Sequence, residues 1–293
     1  MAEVKPHIAF LGIGLMGLPM ATRLLKAGYP LTAWNRTAAK AEPLRALGAQ
    51  IAATPADAVR HASVCISMLE NGPITQAVLH SGVLTALPVG SLWIDMASTQ
   101  PKEARENATH LDGRGIHALD APVSGGTVGA VAGSLAIMAG GHDEAFARAL
   151  PILEHLGRPT HVGPVGAGQL CKLANQLVVG VTIGAVAEAL HLVQGGGGDP
   201  AKFIQAITGG WADSKIMQTH GPRMLAQDFA KRGAMAVQLK DLNNVAAEAQ
   251  AAGLGLPISQ LTQSLFAKAC QDPALADLDH SALYLALEQR IFR

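Results

Sequence analysis

The sequence predicts an α/β fold: a doubly wound, mostly parallel sheet over residues 1–165, then an all-helical domain over residues 166–293 entered through one long helix. Three observations carry that expectation. Short apolar runs alternate with helical patterns through the first half, a glycine-rich loop separates the first run from the first helix, and the strand-like texture ends near Gly163. At 293 residues the chain is about twice the usual domain size, which favours two domains.

The apolar run 8–11 reads as a buried strand, and the helical pattern over 20–27 meets Gly28, a residue suited to a helix C-cap. A second run over 31–34 precedes a second helical stretch over 38–47. The runs 63–69, 92–96 and 116–119 are bounded by turn residues or helices, so the pattern reads as βαβ units with parallel strands. Residues 143–156 form an amphipathic helix with Phe146, Leu150 and Leu153 on one face. The stretch 168–194 has no internal proline and reads as one apolar helix despite Gly180 and Gly184, broken by the glycines at 195–198. Helical patterns follow over 200–208, 235–252, 257–269 and 282–289, with no repeats and no low-complexity linker.

Composition excludes several classes of function. Lys plus Arg and Asp plus Glu are both 22, so no cationic surplus exists to displace counterions from nucleic acid. Aromatic residues are only 4%, too thin for base-stacking platforms, while 49% apolar and 15% charged residues support a large core. Cys65, Cys171 and Cys270 are odd in number and form no Cys-x-x-Cys pair, which predicts neither a disulfide framework nor a zinc cage. Cys171 has no neighbouring base in sequence, and the eleven histidines show no zincin-type pairing, so no metal and no histidine role is expected. The N-terminus reaches an apolar strand at His7 without room for a signal peptide. The run 177–187 stops at Glu188, too short to span a bilayer. A cytoplasmic protein with no membrane partner is the expectation.

The strongest motif is Gly12-Ile13-Gly14-Leu15-Met16-Gly17, directly after a strand and directly before a helix. The first glycine permits the tight turn, the second lets backbone approach a pyrophosphate, and the third lets helix pack on strand. This is the Rossmann fingerprint for a dinucleotide. The second strand ends in Asn35-Arg36-Thr37, where an NAD site usually has a carboxylate for the ribose 2′-OH. A neutral amide, a guanidinium and a hydroxyl instead favour a 2′-phosphate, hence NADP(H) over NAD(H). Ser124, Gly125 and Gly126 offer a hydroxyl and unhindered N–H groups, which suits a carboxylate. Lys172 falls near the start of the long helix, with Asn175 and Gln176 on its face. The positive end of the helix dipole and burial would both ease loss of its proton, as acid–base work requires.

These blocks, with Lys240-Asp241-Leu242 late in the chain, resemble the β-hydroxyacid dehydrogenases, the family of 3-hydroxyisobutyrate dehydrogenase, tartronate semialdehyde reductase and 6-phosphogluconate dehydrogenase. The resemblance covers nearly the whole chain. It implies that Lys172 is the catalytic lysine, that Ser124, Gly125 and Gly126 hold the substrate carboxylate, and that Asn175 contacts substrate. Gln176 stands where many members carry Asn, and belongs with the substrate side. Met68, Leu69, Thr99 and Lys240 match cofactor-side positions. The runs Lys172-Leu173-Ala174-Asn175-Gln176 and Asp279-His280-Ser281-Ala282-Leu283 look like the tartronate semialdehyde reductase branch. Trp211 and Asp213 depart from it, which leaves 3-hydroxyisobutyrate, glyoxylate, succinic semialdehyde and sulfolactaldehyde as competing substrates. Imine reduction and a non-catalytic dinucleotide-binding module are more distant readings, and Lys172 argues against both. The family also implies a homo-dimer or homo-tetramer.

Overall fold

Strands β1 (Ile8–Leu11), β2 (Leu31–Trp34), β3 (Gln50–Ile51), β4 (Val64–Ser67), β5 (Leu92–Asp95) and β6 (His117–Asp120) pair in parallel in the order β3-β2-β1-β4-β5-β6. Every residue of the central β1, β4 and β5 is buried, because alternate side chains enter different cores. Ile8, Phe10, Ile66 and Ile94 enter one core, while Ala9, Leu11, Cys65 and Trp93 enter the other. Full burial of a Phe or Ile side chain contributes roughly 1.5–3 kcal/mol, so the central strands anchor both layers. The computed structural model describes residues 5–289, 291 and 292. It divides into a first unit ending at Lys172 and a second beginning at Leu173.

Helices α1 (Gly17–Lys26), α2 (Glu42–Arg45), α3 (Pro55–Val59), α4 (Gly72–Val78), α5 (Leu84–Ala86), α6 (Pro101–Asp112), α7 (Gly126–Ala132) and α8 (Asp143–Leu153) complete the winding. The sheet then changes direction. β7 (Val123–Ser124) and β8 (Leu135–Gly141) run antiparallel to each other, β8 runs antiparallel to β6, and β9 (Gly157–Gly163) lies parallel to β8. The sequence reading missed these three strands and the two-residue β3. The Gly-, Ser- and Pro-containing segments of β7 to β9 resemble turns, and only ladder pairing makes them strands. The helix expected over 38–47 is also corrected, to a short 3₁₀ turn (Ala38–Lys40) followed by α2, with a proline in its first turn.

Helix α9 (Ala167–Gly195) is one unbroken element as expected. It is 29 residues long, and by length and composition alone it could cross a membrane, which the short run 177–187 did not anticipate. Its Ile183, Val186, Ala187 and Leu190 are buried in the core of the helical unit. That unit also contains α10 (Pro200–Ile207), α11 (Lys215–Leu225), α12 (Met235–Ala251), α13 (Pro257–Ala269), α14 (Pro273–Asp277) and α15 (Leu283–Glu288). The first turn of α9 belongs with the first unit because it is bonded into the sheet. Asp120, the last residue of β6, accepts hydrogen bonds from the Gly166 N–H (2.7 Å) and the Gln169 N–H (2.8 Å). Close approach makes this possible: a Cβ on Gly168 would lie 2.4 Å from the carbonyl oxygens of both Asp120 and Met138.

Candidate active site

The glycine loop after β1 divides its labour as its backbone demands. Gly12 has φ +102°, and a Cβ there would meet the Met68 carbonyl oxygen at 2.3 Å. A Cβ on Gly17 would meet the Gly12 carbonyl oxygen at 1.9 Å, so α1 packs directly on the loop. Gly14 has nothing within 4 Å of its Cβ position, which leaves open space where a ligand backbone would pass. An open cleft of about 350 Å³ lies over this loop. Of the residues expected there, Gly12, Gly14, Leu15, Met16, Gly17, Asn35, Arg36, Thr37, Met68 and Leu69 all line it. Ile13 is buried below, where its N–H donates to the Asn35 side-chain oxygen at 2.9 Å. The Asn35 amide nitrogen donates in turn to the Thr37 carbonyl, so Asn35 splints the loop to the end of β2. Lys40 also lines the cleft beside Arg36, a second cation that the sequence reading did not pick out.

The ends of β4, β5 and β6 lie side by side in the sheet and form a buried polar floor. Asp95 is buried; its Oδ1 accepts from the Ser67 hydroxyl (2.8 Å) and the Ala97 N–H (3.2 Å), and its Oδ2 has no partner. Burial pushes its pKa up to about 7, against the pull of those two donors. Asp120 pairs with Asp95 in the ladder, and burial raises it to about 6 despite the N–H groups of α9. Cys65 lies next to this floor, and burial drives its thiol well up, with the Asp95 charge adding to the effect, so it is no nucleophile.

Thr99 is buried, and its hydroxyl oxygen lacks a partner. Its N–H donates to the Gln169 side chain (2.9 Å), whose amide nitrogen donates to the Ala97 carbonyl (2.8 Å). Lys172 sits three residues beyond Gln169 on the same helix and is 9% exposed. Ser124 closes β7 half-buried, and Gly125 (φ +136°) and Gly126 (φ +61°) expose their backbone at the start of α7. Asp120 therefore ties the end of β6 to the first turn of the helix bearing Lys172.

In the second unit the expected residues form a network of their own. The Asn175 side chain donates to the Gln176 side-chain oxygen (2.9 Å), and Gln176 donates to Asp241 Oδ2 (2.7 Å). The Lys240 ammonium lies 3.2 Å from Asp241 Oδ1. The glutamine that replaces the common asparagine has the reach to hold Asp241. Trp211 is fully exposed, and Asp213 clasps its loop by accepting from the Gly209 N–H and the Gln218 side chain.

The structure also gathers His220, Asp279 and His280, to which the sequence assigned no role. Their ligating atoms lie within 4.8 Å of one another, a donor set that could hold a metal ion. Asp279 is already occupied, however. Its Oδ1 accepts from the N–H and hydroxyl of Ser281, and its Oδ2 from the N–H groups of Arg232 and Gly233. Burial first, then the neighbouring His280, lowers His220 to about 4, so it stays neutral. The cluster fits a structural knot better than a cation cage.

Residues 7–167 match the family model described as the NAD binding domain of 6-phosphogluconate dehydrogenase. Residues 166–287 match that described as NAD-binding of NADP-dependent 3-hydroxyisobutyrate dehydrogenase. The chain is 39% identical to the 2-hydroxy-3-oxopropionate reductase of Escherichia coli (strain K12) over 284 residues, covering 96% of this chain and 97% of the relative. It is 36% identical to the 3-hydroxyisobutyrate dehydrogenase of Pseudomonas aeruginosa over 298 residues, covering 98% of each. The solved structure of Mycobacterium tuberculosis 3-hydroxyisobutyrate dehydrogenase with L-serine aligns with a TM-score of 0.89 at 33% identity, over 97% of this chain and 99% of that one.

The buried Asp95 makes stability depend on pH with a definite sign. Its folded pKa, about 7, lies above the ordinary 3.8, so the native state holds this proton more tightly than the unfolded chain across that window. The contribution is complete below about pH 4 and is lost as pH rises through about 7. Asp95→Asn keeps an oxygen for Ser67 and Ala97 while removing the titration. Its melting temperature relative to the parent should rise between pH 5 and pH 8, by roughly 2–4 °C for each kcal/mol relieved. A difference that stays flat over that range would rule this account out.

Proposed function

The chain belongs to the β-hydroxyacid dehydrogenase family and is an NAD(P)-dependent oxidoreductase, and we propose that it is an NADPH-preferring reductase of a small β-semialdehyde acid, with tartronate semialdehyde as its first substrate. The observation that carries this reading is the pairing of a glycine-lined cleft with a buried lysine, Lys172, on a helix that the sheet itself fixes. The open space over Gly14 and the unpartnered Thr99 hydroxyl fit a dinucleotide, with Arg36, Thr37 and Lys40 on the ribose side. Bound there, the nicotinamide supplies the hydride.

The protein's own share is to orient the acid and manage one proton. Ser124 and the N–H groups of Gly125 and Gly126 hold the substrate carboxylate. Lys172 in its ammonium form gives a proton to the aldehyde oxygen as hydride reaches the carbon, and takes a proton back from solvent. In oxidation the same nitrogen accepts the hydroxyl proton. The Escherichia coli relative supports tartronate semialdehyde, which is 2-hydroxy-3-oxopropionate; the Pseudomonas relative favours 3-hydroxyisobutyrate as the second reading.

NADPH consumption with a panel of semialdehyde acids tests the substrate. Tartronate semialdehyde should lead, and Lys172→Ala should cost about 10²–10⁴-fold in rate with NADPH binding unchanged. Turnover of none of the panel by the parent would reduce the protein to a dinucleotide binder. For cofactor choice, Arg36→Ala combined with Lys40→Ala should raise KM for NADPH by about tenfold or more while leaving KM for NADH nearly unchanged, since each charge-assisted hydrogen bond contributes roughly 1.5–3 kcal/mol. Equal losses for both cofactors would refute a 2′-phosphate site.

We also propose a homo-dimer or homo-tetramer, because Val178 and Leu192 on α9 and Ile258 and Leu261 on α13 are exposed apolar side chains. Light scattering at micromolar protein should give a mass at least twice 30.2 kDa, and a monomeric mass would exclude it.

A further inference from the structure

Gln169 is bonded at three atoms, each bond reaching a different part of the site. Its backbone N–H donates to Asp120 Oδ2 at the end of β6 (2.8 Å). Its side-chain oxygen accepts from the Thr99 N–H (2.9 Å), and its side-chain nitrogen donates to the Ala97 carbonyl (2.8 Å). The residue is completely buried, so water cannot replace any of these partners. Residues 97–99 leave β5 and have not yet entered α6, so ladder and helix bonding do not reach the Thr99 N–H. The glutamine completes this stretch as a neighbouring strand would.

We propose that Gln169 is the positioning residue that locks the helix of Lys172 to the loop of Thr99, holding the proton donor in register with the cofactor side of the pocket. The inference rests on the reductase reading above for the roles of Lys172 and Thr99. Residues three apart on a helix share a face, so Gln169 and Lys172 keep a fixed relation within α9. Gly168 prevents the alternative of sliding or turning the helix. Any side chain at its place would drive a Cβ to within 2.4 Å of two carbonyl oxygens. With the helix seated this way, Gln169 transmits its placement to the Thr99 N–H and the Ala97 carbonyl by two side-chain bonds.

The chemistry also explains why the residue is a glutamine. The site needs one acceptor for Thr99 and one donor for Ala97 at the same side-chain end, which a primary amide supplies and a carboxylate does not. Asparagine is one methylene shorter. Glutamate matches the shape, yet ionised it faces the Ala97 carbonyl with an oxygen; protonated, it regains a donor. Loss of either bond leaves a buried backbone group unsatisfied, and misplacement of reacting groups by even an ångström can cost about 10²-fold in rate.

The test uses Gln169→Glu and Gln169→Ala in the full-length protein, measured against the parent between pH 6 and pH 9. Gln169→Glu should turn over roughly 10–100-fold more slowly than the parent at pH 9 and recover much of that loss at pH 6, with the dissociation constant for NADPH changed less than about threefold. Gln169→Ala should lose kcat by a similar factor at every pH. Amide hydrogen exchange adds a readout that needs no substrate. The Thr99 N–H should exchange at least about tenfold faster in Gln169→Ala than in the parent, while the amides of β1 keep their protection. If the parent reduces none of the acids, the reductase reading fails, yet Thr99 exchange still decides whether the strut exists. A parent-like kcat in both variants, a pH-independent loss in Gln169→Glu, or a Thr99 amide as protected as in the parent would each overturn the proposal. Should Gln169→Ala fail to fold, the pH response of the isosteric Gln169→Glu carries the same decision.

Discussion

The carboxylate of Asp120 on the first turn of α9 is the contact on which the site depends. A helix start carries unbonded N–H groups and the positive end of its dipole, and Asp120 meets both with one oxygen to Gly166 and the other to Gln169. Burial opposes ionisation there, and the N–H groups oppose burial, so the group stays raised only to about 6. Gly140 and Gly168 remove the side chains that would stand between helix and sheet. The backbone that carries Lys172 thus takes its position from the sheet.

Two carboxyls side by side in the ladder would repel if both were charged. The structure separates them by environment. Asp120 has backbone donors at both oxygens, whereas Asp95 has donors at one oxygen and nothing at the other. Asp95 is accordingly the one held nearer to neutrality, and its Ser67 partner ties the end of β4 to the end of β5. The floor formed by the ends of β4, β5 and β6 is polar without carrying two charges.

In the helical unit, Asp241 and Asp279 do comparable work by satisfying groups brought from distant parts of the chain. Asp241 collects Gln176 and Lys240, which places three residues of the resemblance in one network with Asn175. Asp279 collects the backbone of Arg232 and Gly233 and the hydroxyl of Ser281, with His220 at 3.6 Å. Such buried carboxylates specify which helices meet, because any other pairing would strand them.

The amino-acid pattern alone made legible β1, β2, β4, β5 and β6 of the parallel ladder, the glycine loop and the long helix. Each of these is written in short-range periodicity or in a contiguous motif, where a few adjacent residues dictate backbone conformation. The strands β7 to β9 were illegible because their residues favour turns and become strands only by pairing. Lys40, Gln169 and the His220–Asp279–His280 cluster were illegible for a related reason. Gln169 meets Thr99 across 70 positions of chain, and Asp120 meets Gly166 across 46. A buried amide's role is set by the partners that folding brings to it, and no local pattern records which those are. What only the tertiary structure decided, therefore, is how the lysine and the cofactor loop are held, since that depends on unsatisfied groups finding one another in a space closed to water.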